Sequence, residues 1–347
     1  MAYTTIDDPS AHFQTALWTG DGATPTIAND GNSDMQPDWL WGKNRTGTAD
    51  HNYLIDTTRG TNKYMFSNST SAEITNAAIS SFNSDGFVLT SDVGLNRGSS
   101  TYVGWQWKAN GGTRTTHTES GANPGGGFQS NTTAGFSIVD YVGTGGAGHV
   151  THGLGAVPEF IIMKNRDEAE SWLVYHVGIG NGKGLRLDTT AAEDTTANHW
   201  ANTTPNSTTI VVGGNPPNNK DAINYIAYCF APIQGYSKFG SYVGNANADG
   251  PFIYTGFKPS WFMIKRTDAV SDWFVWDSKR SPTNEMTARL VPNESATEGS
   301  ASMDFVSNGI KFRNDAAGRN ADGATYIYIA FAEQPFVTST GVPATAR

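Results

Sequence analysis

The sequence predicts an all-β protein made of three tandem β-sandwich modules, each about 100 residues long. Three observations predict it. Short apolar runs of three to five residues alternate with polar gaps rich in Asn, Thr and Ser, and 39 Gly and 15 Pro punctuate the chain. That spacing suits strands joined by turns and suits long helices badly. Ten Trp, 13 Tyr and 17 Phe supply the aromatic bulk that strands favour. The third observation is an internal repeat.

The segments QPDWLWGKNR, VPEFIIMKNR and KPSWFMIKRT align without gaps on Pro37, Pro158 and Pro259. Two positions later stand Trp39, Phe160 and Trp261; six positions later stand Lys43, Lys164 and Lys265. Fourteen positions later come His51, Trp172 and Trp273, each opening a second apolar run. Each copy closes alike, in TYVGWQWKA, NYIAYCFAP and TYIYIAFAE, with Tyr102, Tyr225 and Tyr326 in phase. Upstream, Trp18-x-Gly20, Tyr141-x-Gly143 and Tyr242-x-Gly244 mark an opening strand.

The runs 39–42, 160–163 and 261–264 have no polar face, so these strands should be buried on both sides. Further strands are expected at 53–55, 172–175 and 273–276, and at 87–89, 210–212 and 310–312. Residues 71–80, SAEITNAAIS, suit one short helix in the first copy. Pro158 lies 121 positions after Pro37, but Pro259 only 101 after Pro158; the surplus falls in a Gly/Thr/Ser-rich stretch that reads as a flexible linker or long exposed loop. The expected organisation is therefore an N-terminal arm (1–14), modules at 15–110, 135–233 and 234–337, a linker at 111–134 and a C-terminal tail (338–347). The second and third modules should form a rigid pair, with the first set apart.

Composition narrows the function. Lys plus Arg is 23 and Asp plus Glu 32, a net charge of −9, so the chain has no broad attraction for phosphate backbones and no nucleic-acid partner is expected. Cys229 is the only cysteine, which excludes an intrachain disulfide; in its apolar run it reads as a small buried hydrophobe. The N-terminus shows no export signal and the chain no long apolar stretch, so synthesis in a cytoplasm without membrane insertion is expected.

Signatures of chemistry are absent: no GxSxG, HExxH, GxxxxGK[ST] or helix-opening GxGxxG. No enzyme, cofactor or metal is expected. His149 and His152 share a Gly-rich turn without an evident third ligand. Asn245-x-Asn247-x-Asp249-Gly250 imitates half of a calcium loop but lacks the closing carboxylate, and reads as an Asx-rich turn. The repeated lysines end buried strands and read as snorkelling or pairing residues, with a clamp for an anionic sugar as the functional alternative. Asp56 with Arg59 and Asp277 with Arg280 recur in copies one and three, whereas copy two has His176 and Gly180. They read as structural ion pairs or as a ligand-gripping set. Trp200 and Asn202, in His199-Trp200-Ala201-Asn202, combine an aromatic face with an amide and complete the candidate ligand-binding residues.

The phrases MAYTTIDDPSAHFQTALWTGDG, PDWLWGKNR, YLIDTTRG, SFNSDGFVLTSD and YIAYCFAPIQGYSKFGSYVGN, with the ending GVPATAR, resemble a family of marine bacteriophage structural proteins, tail-fibre-like, with repeated jelly-roll or concanavalin-like sandwich modules. The resemblance spans nearly the whole chain and brings no catalytic residues. It implies a virion protein, made in the host cytoplasm. Its role would be that of a tail fibre or appendage attaching to the host surface, with a glycan as the expected ligand. Residues 1–14 would dock onto other virion proteins, and fibres are commonly homotrimers. The alternative role is a capsid or tail decoration protein.

Overall fold

The computed structural model describes residues 2–46, 49–195 and 198–345. The chain is predominantly β-strand arranged in several open sheets. Among the described residues, helix is confined to a 3-10 turn, Pro9–Ala11, and two short helices, Val93–Asn96 and Ala317–Asn320. Among the described residues no sheet closes into a barrel or curls as a jelly roll, so that part of the expectation is corrected.

Three larger sheets carry the architecture. In the first, the opening strand Phe13–Thr19 pairs with the closing strand Thr101–Trp107, which pairs with Trp39–Asn44, then Tyr53–Asp56 and two further strands. In the second, Phe136–Val142, Asn224–Phe230, Phe160–Asn165 and Leu173–His176 lie in the same relation. In the third they are Ser237–Val243, Thr325–Pro335, Phe257–Arg266 and Trp273–Asp277. All these pairings are antiparallel. A smaller sheet lies beside each: Thr26–Ile27, Gly86–Leu89 and Ile79–Asn83; Gly148–Thr151 and Thr209–Val212; and Phe252–Tyr254, Gly309–Phe312, Gly299–Val306 and Met286–Arg289.

Strand periodicity explains why the proline-led runs have no polar face. Successive side chains point to opposite faces of a sheet. Leu40, Ile161, Met163, Phe262 and Ile264 enter separate cores shared with the smaller sheets. Trp39, Trp41, Phe160, Ile162, Trp261 and Met263 point the other way, into one cluster that also holds Trp105, Trp107, Trp172, Tyr228, Phe230, Trp273 and Phe331. Both faces are buried, against different partners.

That common cluster corrects the expectation that the first segment stands apart. Trp39 lies 4.2 Å from Tyr228, ring centre to ring centre, and Trp107 lies 5.8 Å from Trp261. All three segments therefore contribute to one core.

The 111–134 stretch is not a free tether. It holds strands Thr115–His117 and Gly126–Asn131, which extend the second sheet, and Gln129 Nε2 donates to the hydroxyls of Thr57 and Thr58 at 2.7 and 2.6 Å. Residues 71–80 form strands Ile74–Thr75 and part of Ile79–Asn83 instead of a helix. Glu73, pinned by its main-chain N–H to Arg166 O at 2.7 Å, and Ile74, paired with Tyr64, override local propensity.

The N-terminal residues are not a free arm either. Tyr3 OH donates to Gly256 O at 2.6 Å, Thr4 Oγ1 to Gln234 O at 2.8 Å, and Ile6 joins the common core. The tail meets them, with Ser339 N–H donating to Asp7 Oδ1 at 2.6 Å.

Candidate functional site

The candidate residues named from the sequence fall into two groups, and most are closed to solvent. Trp200 is fully buried, edge-on to Tyr175 at 5.4 Å, with its indole N–H donating to Lys183 O at 2.8 Å. Asn202 is exposed in a left-handed turn, φ 51°. The two do not make a sugar platform, because the tryptophan face is already covered.

Asp56, Arg59, Asp277 and Arg280 are buried where segments meet. Asp56 Oδ2 accepts from Arg59 Nε at 2.5 Å and from the Tyr228 hydroxyl at 2.8 Å. Arg59 reaches on to Glu73 at 3.3 Å, and Glu73 takes a two-pronged pair from Arg166 at 2.9 Å. Against the upward push of burial, hydrogen bonds from Arg166 and the charges of Arg59 and Arg166 hold the Glu73 carboxyl down at about 2. Asp277 repeats the arrangement: Arg280 Nε at 2.6 Å, Trp105 Nε1 at 2.9 Å, and onward from Arg280 to Glu298 and Arg45. With no exposed side-chain surface on either Asp–Arg pair, gripping a ligand is excluded and the ion-pair reading stands.

The second segment solves the same problem without charge. His176 faces Phe160 in the register where Asp56 faces Trp39. It donates from Nε2 to Tyr328 O at 3.1 Å and accepts the Gly178 N–H on Nδ1 at 3.0 Å. Three residues on, Ile179 stands where Arg59 and Arg280 do, packed against the common core. Burial pulls His176 down to about 4, so it is neutral there.

The three lysines do not snorkel; all are fully buried. Lys164 Nζ donates to Asn165 O at 2.6 Å, and Lys265 Nζ to Ser271 O at 2.6 Å and Thr190 O at 3.0 Å. Burial pulls each down to about 8. Because these folded-state values lie below that of an unfolded lysine, the folded chain holds fewer protons between about pH 8 and pH 10.5. Stability should rise from about pH 8 to about pH 10, by at most about 3 kcal/mol per lysine. Above about pH 10 it should fall again, since buried Tyr141, Tyr228 and Tyr242 keep protons that the unfolded chain releases. Urea midpoints measured against pH check this. A curve that is flat to pH 10, or one that is the same in Lys164→Met/Lys265→Met, would contradict it.

The calcium-loop imitation is a pair of Asx turns: Asn245 Oδ1 accepts from Asn247 N–H and Asn247 Oδ1 from Asp249 N–H, while Asp249 pairs with Lys311 at 2.7 Å. His152 is buried, its Nε2 on Asn206 O at 3.0 Å. Among the described residues, no three His, Cys, Asp or Glu side chains gather as metal ligands.

Two solvent-facing features among the described residues bear on ligand binding. A polar cleft of about 380 Å³ opens between the first and third segments, lined by Asp8, Gln14, Asp30, Ser278, Lys279 and Glu333 among others. The other is the strand Phe252–Tyr254, at one edge of its sheet. Ile253 points into the core while Phe252 and Tyr254 stand about half exposed on the outer face. Lys238 Nζ lies 5.1 Å from the centre of the Tyr254 ring, and Lys311 sits opposite Phe252. Among the described residues, the other large apolar side chains with comparable exposure are valines. Sequence reasoning missed this pair, although the alternation of PFIYTG contains it.

Residues 8–335 match the family described as a domain of unknown function, DUF7483. The chain belongs to this family. The DUF7483 match takes in all three large sheets and ends with the last strand, Thr325–Pro335. Comparison with curated proteins and with solved structures found no match.

Proposed function

We propose that this DUF7483 protein is a bacteriophage virion structural protein, a tail fibre or appendage that attaches to the host surface, with modules at 15–110, 135–233 and 234–337 as copies of one β-sandwich. The observation that carries the attachment reading is the concentration of exposed aromatic surface on one edge strand, Phe252–Tyr254, flanked by Lys238 and Lys311. Flat aromatic faces beside polar groups suit a surface glycan. The isolated exposed valines are ordinary surface and do not favour a decoration lattice.

Agreement in detail supports the copies. Trp18 faces Tyr102, Tyr141 faces Tyr225 and Tyr242 faces Tyr326, each pair stacked within 12° of parallel. Each closing tyrosine hydroxyl accepts a main-chain N–H from five residues back, at 2.9 Å. Buried Asn96, Asn219 and Asn320 each accept an N–H just after the opening strand. Gly20, Gly143 and Gly244 lie where a Cβ would come within 2.3 Å of the Arg97, Lys220 or Ala321 carbonyl oxygen. The chain is expected to assemble as a homotrimer, which gives avidity from weak individual sites.

Tracing the chain in cryo-electron microscopy density of the virion tests the role. Density in an appendage is the expected result; density flat on the shell would make it a decoration protein, and absence from the particle would overturn both. Phe252→Ala/Tyr254→Ala is expected to weaken binding to host cells about tenfold or more, with the melting temperature unchanged. Unchanged binding would remove the aromatic strand from the attachment site.

A further inference from the structure

One pair of buried side chains has no part in attachment. Asp56, His176 and Asp277 occupy matching register positions, and four residues before them stand Asn52, Trp172 and Trp273. The structural counterpart of the two tryptophans is thus Asn52, one place later than the gapless alignment puts it at His51. All three side chains donate to a main-chain carbonyl of a neighbouring segment: Asn52 Nδ2 to Pro292 O at 2.8 Å, Trp172 Nε1 to Phe66 O at 2.8 Å and Trp273 Nε1 to Arg186 O at 2.9 Å. Only asparagine can also receive the lysine of its own segment. Lys43 Nζ lies 2.7 Å from Asn52 Oδ1, with both residues fully buried, whereas Lys164 and Lys265 bond main-chain oxygens.

We propose that Lys43 and Asn52 join in an intramolecular isopeptide bond. An amine fixed against a carboxamide, dry and at hydrogen-bond distance, has the orientation that a bimolecular reaction in water lacks. The carboxamide is held from its far side, since Nδ2 donates to both Pro292 O and Glu294 O, and Glu294 O also accepts from Lys43 Nζ at 2.8 Å. Burial pulls the Lys43 ammonium down to about 7, which makes neutral amine abundant at ordinary pH. The Glu294 carboxyl lies close enough for its charge to act on Lys43, and partial burial with Asp272 nearby raises it, which suits a group that takes up and returns a proton.

In the reaction, Nζ attacks Asn52 Cγ and the Nζ–Cγ bond forms. The Cγ–Nδ2 bond breaks, and a proton from Nζ passes by way of the Glu294 carboxyl to the departing nitrogen. Amine plus carboxamide becomes secondary amide plus ammonia, with no oxidant or cofactor. Glu294 also lines an opening of about 440 Å³, together with Ala49, His51, Asn68 and Asn293, through which ammonia can leave.

Intact-mass spectrometry of the purified full chain tests the bond. The wild type should be lighter than its sequence by one ammonia, and its tryptic map should lack cleavage at Lys43 and contain one branched peptide joining Lys43 to Asn52. Lys43→Met and Asn52→Ala should each have the full sequence mass. A wild type at full mass after incubation at mildly alkaline pH overturns the proposal. So does an ammonia loss that maps to linear peptides, as a succinimide at Asn110-Gly111, Asn181-Gly182 or Asn308-Gly309 would give. Glu294→Gln should lower the cross-linked fraction at equal time about tenfold or more; an unchanged fraction overturns the proton route through Glu294.

Discussion

Replacing Arg59 with methionine is expected to destabilise the chain by about 3–5 kcal/mol, because it leaves two carboxylates buried without their shared cation. Asp56 would keep the Tyr228 hydroxyl, and Glu73 would keep Arg166 and Lys63, but the guanidinium that bridges them would be gone. The second segment suggests how to rescue the loss. It uses His176 and Ile179 in place of the Asp–Arg pair, and on the closing strand the counterpart of Tyr228 is Ile329. Asp56→His/Arg59→Ile/Tyr228→Ile should therefore fall within about 2 kcal/mol of wild type, since an uncharged, well-packed substitute for a buried ion pair is often neutral. Urea unfolding of the single and triple variants measures both. An Arg59→Met cost below about 1 kcal/mol would mean that water reaches the pair.

Trp39→Ala is expected to cost about 3–5 kcal/mol and, more tellingly, to leave unfolding as one transition. Trp39 stacks on Tyr228, packs at 4.6 Å on Trp107 and lies 5.9 Å from Phe136, so its loss opens a cavity between the first and second segments. Tryptophan fluorescence and far-ultraviolet circular dichroism should then shift to lower urea together. Two separated transitions would show that the first segment folds alone, and would contradict the common core.

What the sequence made legible was periodic and local. The strands near 39–44, 160–165 and 261–266 follow from apolar runs between turn residues, and the third strands at 86–89, 209–212 and 309–312 fall where the pattern puts them. What it concealed was mutual. Nothing in WLWG distinguishes a sandwich interior from a core shared with two other sheets, because burial on both faces reads the same whatever covers each face. Trp200 looked like a binding residue for the same reason: an aromatic beside an amide has one spelling, whether solvent or Tyr175 lies over the ring. The helix expected at 71–80 failed because Glu73 is held by Arg166, more than ninety positions away. The one-residue offset between His51 and Asn52 was invisible to alignment and became clear only from strand register.

The contacts that close the three segments on one another also bear on how the chain is made. Arg45 and Glu298 are separated by 253 positions, and Trp105 and Asp277 by 172. While the first segment emerges from a ribosome, the surfaces meant to cover Trp39, Trp41, Trp105 and Trp107 do not yet exist. Trp39 must wait, exposed to water, for Phe136 and Tyr228 of the second segment, and Trp105 and Trp107 for Trp261 and Phe331 of the third. Folding then closes long loops late, the slow regime of non-local β topology, in which partly made chains stick to one another. Truncated chains should therefore collect in inclusion bodies, and full-length yield should improve when translation is slowed or a holdase is present.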